Sequence, residues 1–214
     1  MGRIFEKRKH KMFARFDRMA KAFTRIGKDI VIAVKAGGPN PDNNPRLRMS
    51  IQNAKGVNMP KDRVEAAIKR ASSKEEKDFQ EVIYEGYAPH GVPVLVECAT
   101  DNPTRTVANI RLHFSKNGGN MGNSGSVSFL FERNGVFKFD PAKLNLDEHE
   151  LDLIDAGAED IQREEDEIIV YTKFGEFGQM QKFLESKGLV AKSSELQYIP
   201  TTTKELDEKE LDET

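Results

Sequence analysis

Gly37-Gly38-Pro39-Asn40-Pro41-Asp42-Asn43-Asn44-Pro45-Arg46-Leu47-Arg48 is the stretch that organises the N-terminal third of the chain. Glycine and proline together stop a helix at its front, and Asn44-Pro45 at its rear is a helix start, an N-cap side chain followed by proline at the first helical position. Backward from the stop, Phe13, Phe16, Met19, Phe23, Ile26, Ile30 and Val34 recur at three- and four-residue steps. That is one stripe of an amphipathic helix, predicted over residues 12–36. Forward from Asn44 a second helix is predicted to about Ala54. Asn58-Met59-Pro60-Lys61-Asp62 opens a third, running to about Ala71, with Val64, Ala67, Ile68 and Ala71 facing inward and Lys61, Arg63, Lys69 and Arg70 outward.

Charge divides the chain as sharply as helix periodicity does. Residues 1–70 hold 18 Lys and Arg against 6 Asp and Glu, whereas residues 71–214 hold 15 against 29, so a formal net charge of −2 conceals a basic head and an acidic body. A basic module of this kind suits a polyanion, and nucleic acid is the commonest one. On the first helix Arg15, Arg18, Lys21, Arg25 and Lys28 follow the apolar spacing displaced by one or two residues, a basic stripe rotated roughly 100–160° from the apolar one. Any one of these cations is as readily a solvated surface residue. Together they are harder to dismiss, because residues 1–28 carry 10 basic residues against only Glu6 and Asp17. The candidate nucleic-acid contacts are Lys9, Lys11, Arg15, Arg18, Lys21, Arg25, Lys28, Arg46, Arg48, Lys61, Lys69 and Arg70. A rival reading has the Phe-rich stripe inserting into lipid or a partner groove; packing of Phe16, Phe23 and Ile30 on the second and third helices would argue against it.

The stretch 37–48, with Asn58-Met59-Pro60-Lys61-Asp62 and Ala67-Ile68-Lys69-Arg70, closely resembles the YebC/PmpR family of bacterial regulatory proteins, which has a mitochondrial translational-activator branch. The likeness continues in order through Tyr84-Glu85-Gly86-Tyr87, Asp101-Asn102 with Arg105-Thr106-Val107-Ala108, and Gly118-Gly119-Asn120 leading to Gly125-Ser126-Val127 and Leu130-Phe131. One departure lies at the start. Many members carry His-Arg-Lys near a Lys-Trp where this chain reads Arg8-Lys9-His10-Lys11-Met12. The resemblance implies a DNA-binding transcriptional regulator or, alternatively, a ribosome-associated translation factor that binds ribosomal RNA and relieves stalling at proline-rich sequences.

Past Ser72-Ser73-Lys74-Glu75-Glu76-Lys77-Asp78, a short charged linker expected to make few contacts, the period changes from helix to strand. Strands are predicted at 81–88, 92–99 and 126–132 with a helix at 104–116 between the second and third, a ββαβ unit. After a turn at Arg133-Asn134-Gly135 come strand 136–139, helix 147–155, strands 160–164 and 167–172, helix 176–186 and strand 195–199. That order is the split βαβ of a ferredoxin-like domain. The expected fold is α+β: a basic three-helix domain at 1–75, a middle domain at 76–133, and a ferredoxin-like domain at 134–199. The middle unit has one helix to cover its sheet and is short of another helix and strand. In the resembled family the chain runs on into a helix and an acidic segment that return to the middle domain, so 200–214 is expected to begin that return in a fragment of a longer protein.

Other chemistries find little support. No apolar run approaches the roughly 18–20 residues that span a bilayer, and the basic N-terminus lacks a following apolar stretch, so a cytoplasmic protein without membrane helix or signal peptide is expected. Cys98, the sole cysteine, lies in Val92-Pro-Val-Leu-Val-Glu-Cys98 and reads as a buried strand residue. The glycine-rich run 117–126 lacks the Lys-Ser/Thr ending of a phosphate-binding loop and precedes a strand, so it reads as a structural loop. His10, His90, His113 and His149 are scattered without ligand spacing, and no metal or other cofactor is expected. Glu85, Glu97 and Asp101 could crowd one sheet edge but have no nucleophile beside them and read as solvating carboxylates. The expectation is a non-enzymatic regulator of gene expression whose partner is DNA or, alternatively, ribosomal RNA on the ribosome, with no small-molecule substrate.

Overall fold

A computed structural model describes the backbone of residues 2–73 and 78–214, with side chains for residue 9 and residues 12–73 and 78–214. The middle of the charged linker therefore lies outside the described residues. The chain divides into two compact units, one comprising Met1–Asp78 with Ala191–Ser194 and the other Phe79–Val190 with Glu195–Thr214.

The first unit is three helices: α1 (Gly2–Gly37), α2 (Pro45–Gly56) and α3 (Lys61–Ala71). Both α2 and α3 pack on α1. Asn44 ties the turn between the first two. Its side-chain oxygen accepts from Leu47 N at 3.0 Å as the N-cap of α2, and its Nδ2 donates to Ala33 O at 2.7 Å and Gly38 O at 2.9 Å. A Cβ on Gly37 would meet that amide at 2.8 Å, which is why glycine sits there. Asn53 holds the Ala191–Ser194 segment, donating to Ser194 O and accepting from Ser194 N, both at 2.9 Å.

The apolar stripe of α1 is not buried along its length. Ile26, Ile30, Val31, Ala33 and Val34 are core, whereas Phe23 is half-buried and Phe13 and Phe16 are 53% and 54% exposed. The expectation that Phe16 packs on the other helices is corrected. At 1.5 Å per residue α1 is about 54 Å long. Helices α2 and α3, of 12 and 11 residues, are each only about a third of that.

The second unit holds two antiparallel sheets. In the smaller, β1 (Gln80–Ala88) pairs with β2 (Val92–Thr100) and with β3 (Asn120–Met121), in the order β2-β1-β3. Helix α4 (Pro103–Lys116), N-capped by Asn102 accepting from Arg105 N, joins β2 to β3 and packs on β1 and β3 without burying any residue completely. With such thin cover Cys98 is half-buried rather than buried. In the larger sheet β4 (Phe131–Phe139), α5 (Leu146–Asp155), β5 (Ala158–Arg163), β6 (Ile168–Lys173), α6 (Phe177–Lys187) and β7 (Ser193–Pro200) follow the ferredoxin-like order. The strands lie as β5-β6-β4-β7, and the α+β fold is as the sequence predicts. The core lies between sheet and helices, with Phe137 stacked on Phe177 of α6 at 4.9 Å.

Two strand assignments change. Residues 128–130 form a 3-10 turn, and Asn120–Met121 is the third strand of the small sheet. Arg133-Asn134-Gly135 is not a turn but the middle of β4, where Asn134 pairs with Lys173 and Gly135 with Thr172. Gly135 is there for space. A Cβ on it would collide with Thr172 Oγ1 and lie 2.6 Å from the Phe177 ring. The C-terminal helix α7 (Glu208–Glu213) reaches the Pro89–Gly91 turn, where His90 Nε2 lies 2.9 Å from Glu213 and Lys204 Nζ donates to His90 O.

Candidate nucleic-acid interface

Helix periodicity places Arg18, Lys21, Arg25 and Lys28 along one side of α1, with Arg15 on its shoulder, and the buried residues from Ile26 onward on the other. The cationic stripe therefore faces away from α2 and α3. Arg15, Arg18, Lys21 and Arg25 are exposed, while Lys28 and Lys9 are half-buried; the side chain of Lys11 lies outside the described residues. Arg18 Nε donates to Ala14 O at 3.3 Å, and Lys21 pairs with Asp17 at 2.7 Å, both groups well exposed. An exposed pair contributes little to stability and yields readily to a phosphate. Asp17 and Asp29, each four residues from a cation of the stripe, reduce its local charge in part.

The remaining candidates sit on other helices. Arg46 and Arg48 are half-buried on α2, and Lys61, Lys69 and Arg70 are exposed on α3, where Lys61 pairs with Glu65 at 3.4 Å. Arg48 is engaged by its own loop. Its guanidinium donates to Pro41 O at 3.0 Å and Asp42 O at 3.1 Å, holding the turn before α2. Arg63, absent from the candidate set, lies over the Phe23 ring at 5.7 Å. It closes the apolar side of α1 where the bundle ends, and its outward position on α3 was the only sequence sign of it. Thus Arg18, Lys21, Arg25 and Lys28 share one side of α1, Arg15 and Lys9 lie off that line, and the remaining candidates sit on α2 and α3.

The glycine-rich run also gains a role. Glu85, 5% exposed, inserts its carboxylate into it: Gly125 N donates to Oε1, and Val127 N and Ser128 N donate to Oε2, each at 2.8 Å. The amides of Gly125 and then Val127 hold the carboxyl below its usual range, outweighing the opposing effect of burial. This corrects the reading of Glu85 as a solvating carboxylate. The loop does wrap an anion, and the anion is the protein's own. Gly122 N donates to Glu85 O and the Tyr87 hydroxyl to Ser126 O, so β1 and the loop are joined on both sides of the carboxylate. Among the described residues, no group of three or more His, Cys, Asp or Glu is placed to hold a metal ion, and no helix is long and apolar enough to cross a membrane.

Comparison with known proteins agrees along the whole length. A family model described as the TACO1/YebC protein N-terminal domain matches residues 3–74, and one described as the TACO1/YebC second and third domain matches residues 79–214. A protein of Anaeromyxobacter dehalogenans (strain 2CP-C), named "Probable transcriptional regulatory protein", is 56% identical over 218 residues, covering 100% of this chain and 91% of its own. One of the same name from Myxococcus xanthus (strain DK1622) is 55% identical over 213 residues, covering 97% and 89%. Among solved structures, a conserved hypothetical protein from Aquifex aeolicus is similar with a TM-score of 0.78 and 38% identity, covering 96% of this chain and 82% of that one.

Proposed function

The chain belongs to the TACO1/YebC family, and on that premise we propose that it is a nucleic-acid-binding regulator of gene expression that works in the cytoplasm by binding rather than by catalysis. The relatives are named as transcriptional regulatory proteins, and the nucleic acid proposed for that role is DNA. The observation that carries the reading is the exposed cationic stripe of Arg15, Arg18, Lys21 and Arg25 on a helix whose other side packs the module. Phosphate contact through such a stripe is independent of sequence. Its signature is a steep salt dependence: about four contacts on duplex DNA give a slope of log K against log[salt] near −3.6.

A second reading, ribosomal RNA on the translating ribosome, is favoured by the reach of α1, whose first buried residue among the described side chains is Ile26. A rod of that kind suits a folded RNA surface better than a uniform duplex groove. Crosslinking in cells followed by sequencing of the bound nucleic acid separates the two. Recovery of promoter DNA supports transcription, recovery of ribosomal RNA supports translation, and recovery of neither at the α1 stripe refutes the proposal.

A further inference from the structure

Phe13 and Phe16 stand one helical turn apart on the same side of α1, both more than half exposed. Single exposed aromatics are ordinary. These two share a face with each other and, four residues before Phe13, with Lys9. They also lie well before Ile26, the first core residue of the helix among the described side chains, so neither belongs to the core of the bundle. A helical segment so far from tertiary contact gains little from its neighbours and is marginal by itself in water. Its aromatic face is therefore apolar surface waiting for a partner.

Building on the nucleic-acid reading above, we propose that Phe13 and Phe16 form a stacking ledge for unpaired bases, so that α1 engages a looped or single-stranded nucleic acid on both of its sides. The cations Arg18, Lys21 and Arg25 lie on the opposite side of the helix and take phosphates, while the rings take the exposed faces of bases. A fully paired duplex hides those faces and can satisfy only the cationic side. The charge of the segment argues for this occupant, since residues 1–28 hold 10 Lys and Arg against 2 acidic residues. Lys9, one helical turn before Phe13 on the same face, argues against lipid, because an ammonium on an inserting surface brings a desolvation cost to the bilayer. A phosphate between two stacked nucleotides meets the same ammonium favourably.

The test uses the full chain and two probes with equal numbers of phosphates: a blunt DNA duplex, and a hairpin with eight unpaired nucleotides, one of them 2-aminopurine. The variant is Phe13→Ala with Phe16→Ala, whose exposed positions leave the fold intact, as circular dichroism verifies. Wild type should prefer the hairpin and quench the 2-aminopurine. The variant should lose roughly 5- to 100-fold in hairpin affinity for each base unstacked, while duplex affinity and salt slope stay as in wild type. Phe16→Trp should restore hairpin binding and Phe16→Leu should not. Equal hairpin affinity of wild type and double variant overturns the proposal, as does full rescue by leucine. So does a loss confined to vesicles of phosphatidylcholine and phosphatidylglycerol. Failure of the underlying reading looks different: wild type then binds neither probe, and changing Arg15, Arg18, Lys21 and Arg25 to Gln alters nothing.

Discussion

Replacing Glu85 by Gln should destabilise the glycine-rich loop far more than a substitution in a surface strand would. The carboxylate accepts three backbone N–H groups, one on Oε1 and two on Oε2. Glutamine offers a single oxygen. Turned to satisfy Val127 and Ser128, it points its amide N–H₂ at the N–H of Gly125; turned the other way, it opposes two donors. At least one buried donor is left unsatisfied, at about 1–3 kcal/mol, and the surviving bonds lose their charge assistance. A total of about 2–4 kcal/mol is expected at neutral pH. Amide hydrogen exchange at Gly125, Val127 and Ser128, compared with global unfolding in urea, reads this locally. The pH dependence has a definite sign. Because the folded carboxyl titrates below its unfolded value of about 4.5, its contribution is complete above that pH and is lost as pH falls through the lower, folded value. The gap between wild type and Glu85→Gln should therefore close in acid, where the wild-type group is itself protonated. Equal protection in the two proteins at pH 7, or a gap that persists unchanged in acid, refutes the reasoning.

Changing Arg15, Arg18, Lys21 and Arg25 together to Gln should leave the fold intact, since each is exposed and such changes typically shift stability by under about 0.5 kcal/mol. Binding titrations at several salt concentrations should show the slope flattened by up to about 3.6 units; an unchanged slope places the phosphate contacts elsewhere. Along α1, Ile30→Ala should cost about 2–5 kcal/mol because the side chain is fully buried, whereas Phe16→Ala should cost almost nothing in thermal or urea unfolding. Equal costs at the two positions would mean that the helix packs along its whole length. Gly135→Ala should disrupt the larger sheet, because the new methyl meets Thr172 and the Phe177 ring. A variant of wild-type stability in urea would show that those groups can withdraw.

Much of the fold was legible because its signals are local. Asn44-Pro45 is a local helix start because the cap bond closes over three residues, and Arg18, Lys21, Arg25 and Lys28 share a side because helix geometry repeats every 3.6 residues. The order of strands and helices in the larger sheet followed from alternating periods. The same local logic misled at Arg133-Asn134-Gly135, whose residues favour a turn. There a ladder partner and the Phe177 ring, 42 residues beyond Gly135, use the glycine for closeness instead of for bending. It misled again at Arg48, a cation in composition but a clamp on the preceding turn in space.

The sequence by itself determined where α1 ends and where α2 and α3 begin, though not that α1 begins at Gly2 rather than near residue 12. It also determined which side of α1 carries charge and that a basic head precedes an acidic body. Each depends on residues a few positions apart or on a simple count. Only the tertiary structure decided how far the apolar stripe of α1 is covered, and what fills the glycine-rich loop. Burial depends on how long the partner helices are, and α2 and α3 end before they reach Phe13 and Phe16. The loop's anion comes from a strand about 40 residues earlier, brought there by the pairing of β1 with β3. An apolar period shows which side of a helix can be buried, but only a neighbour in space buries it.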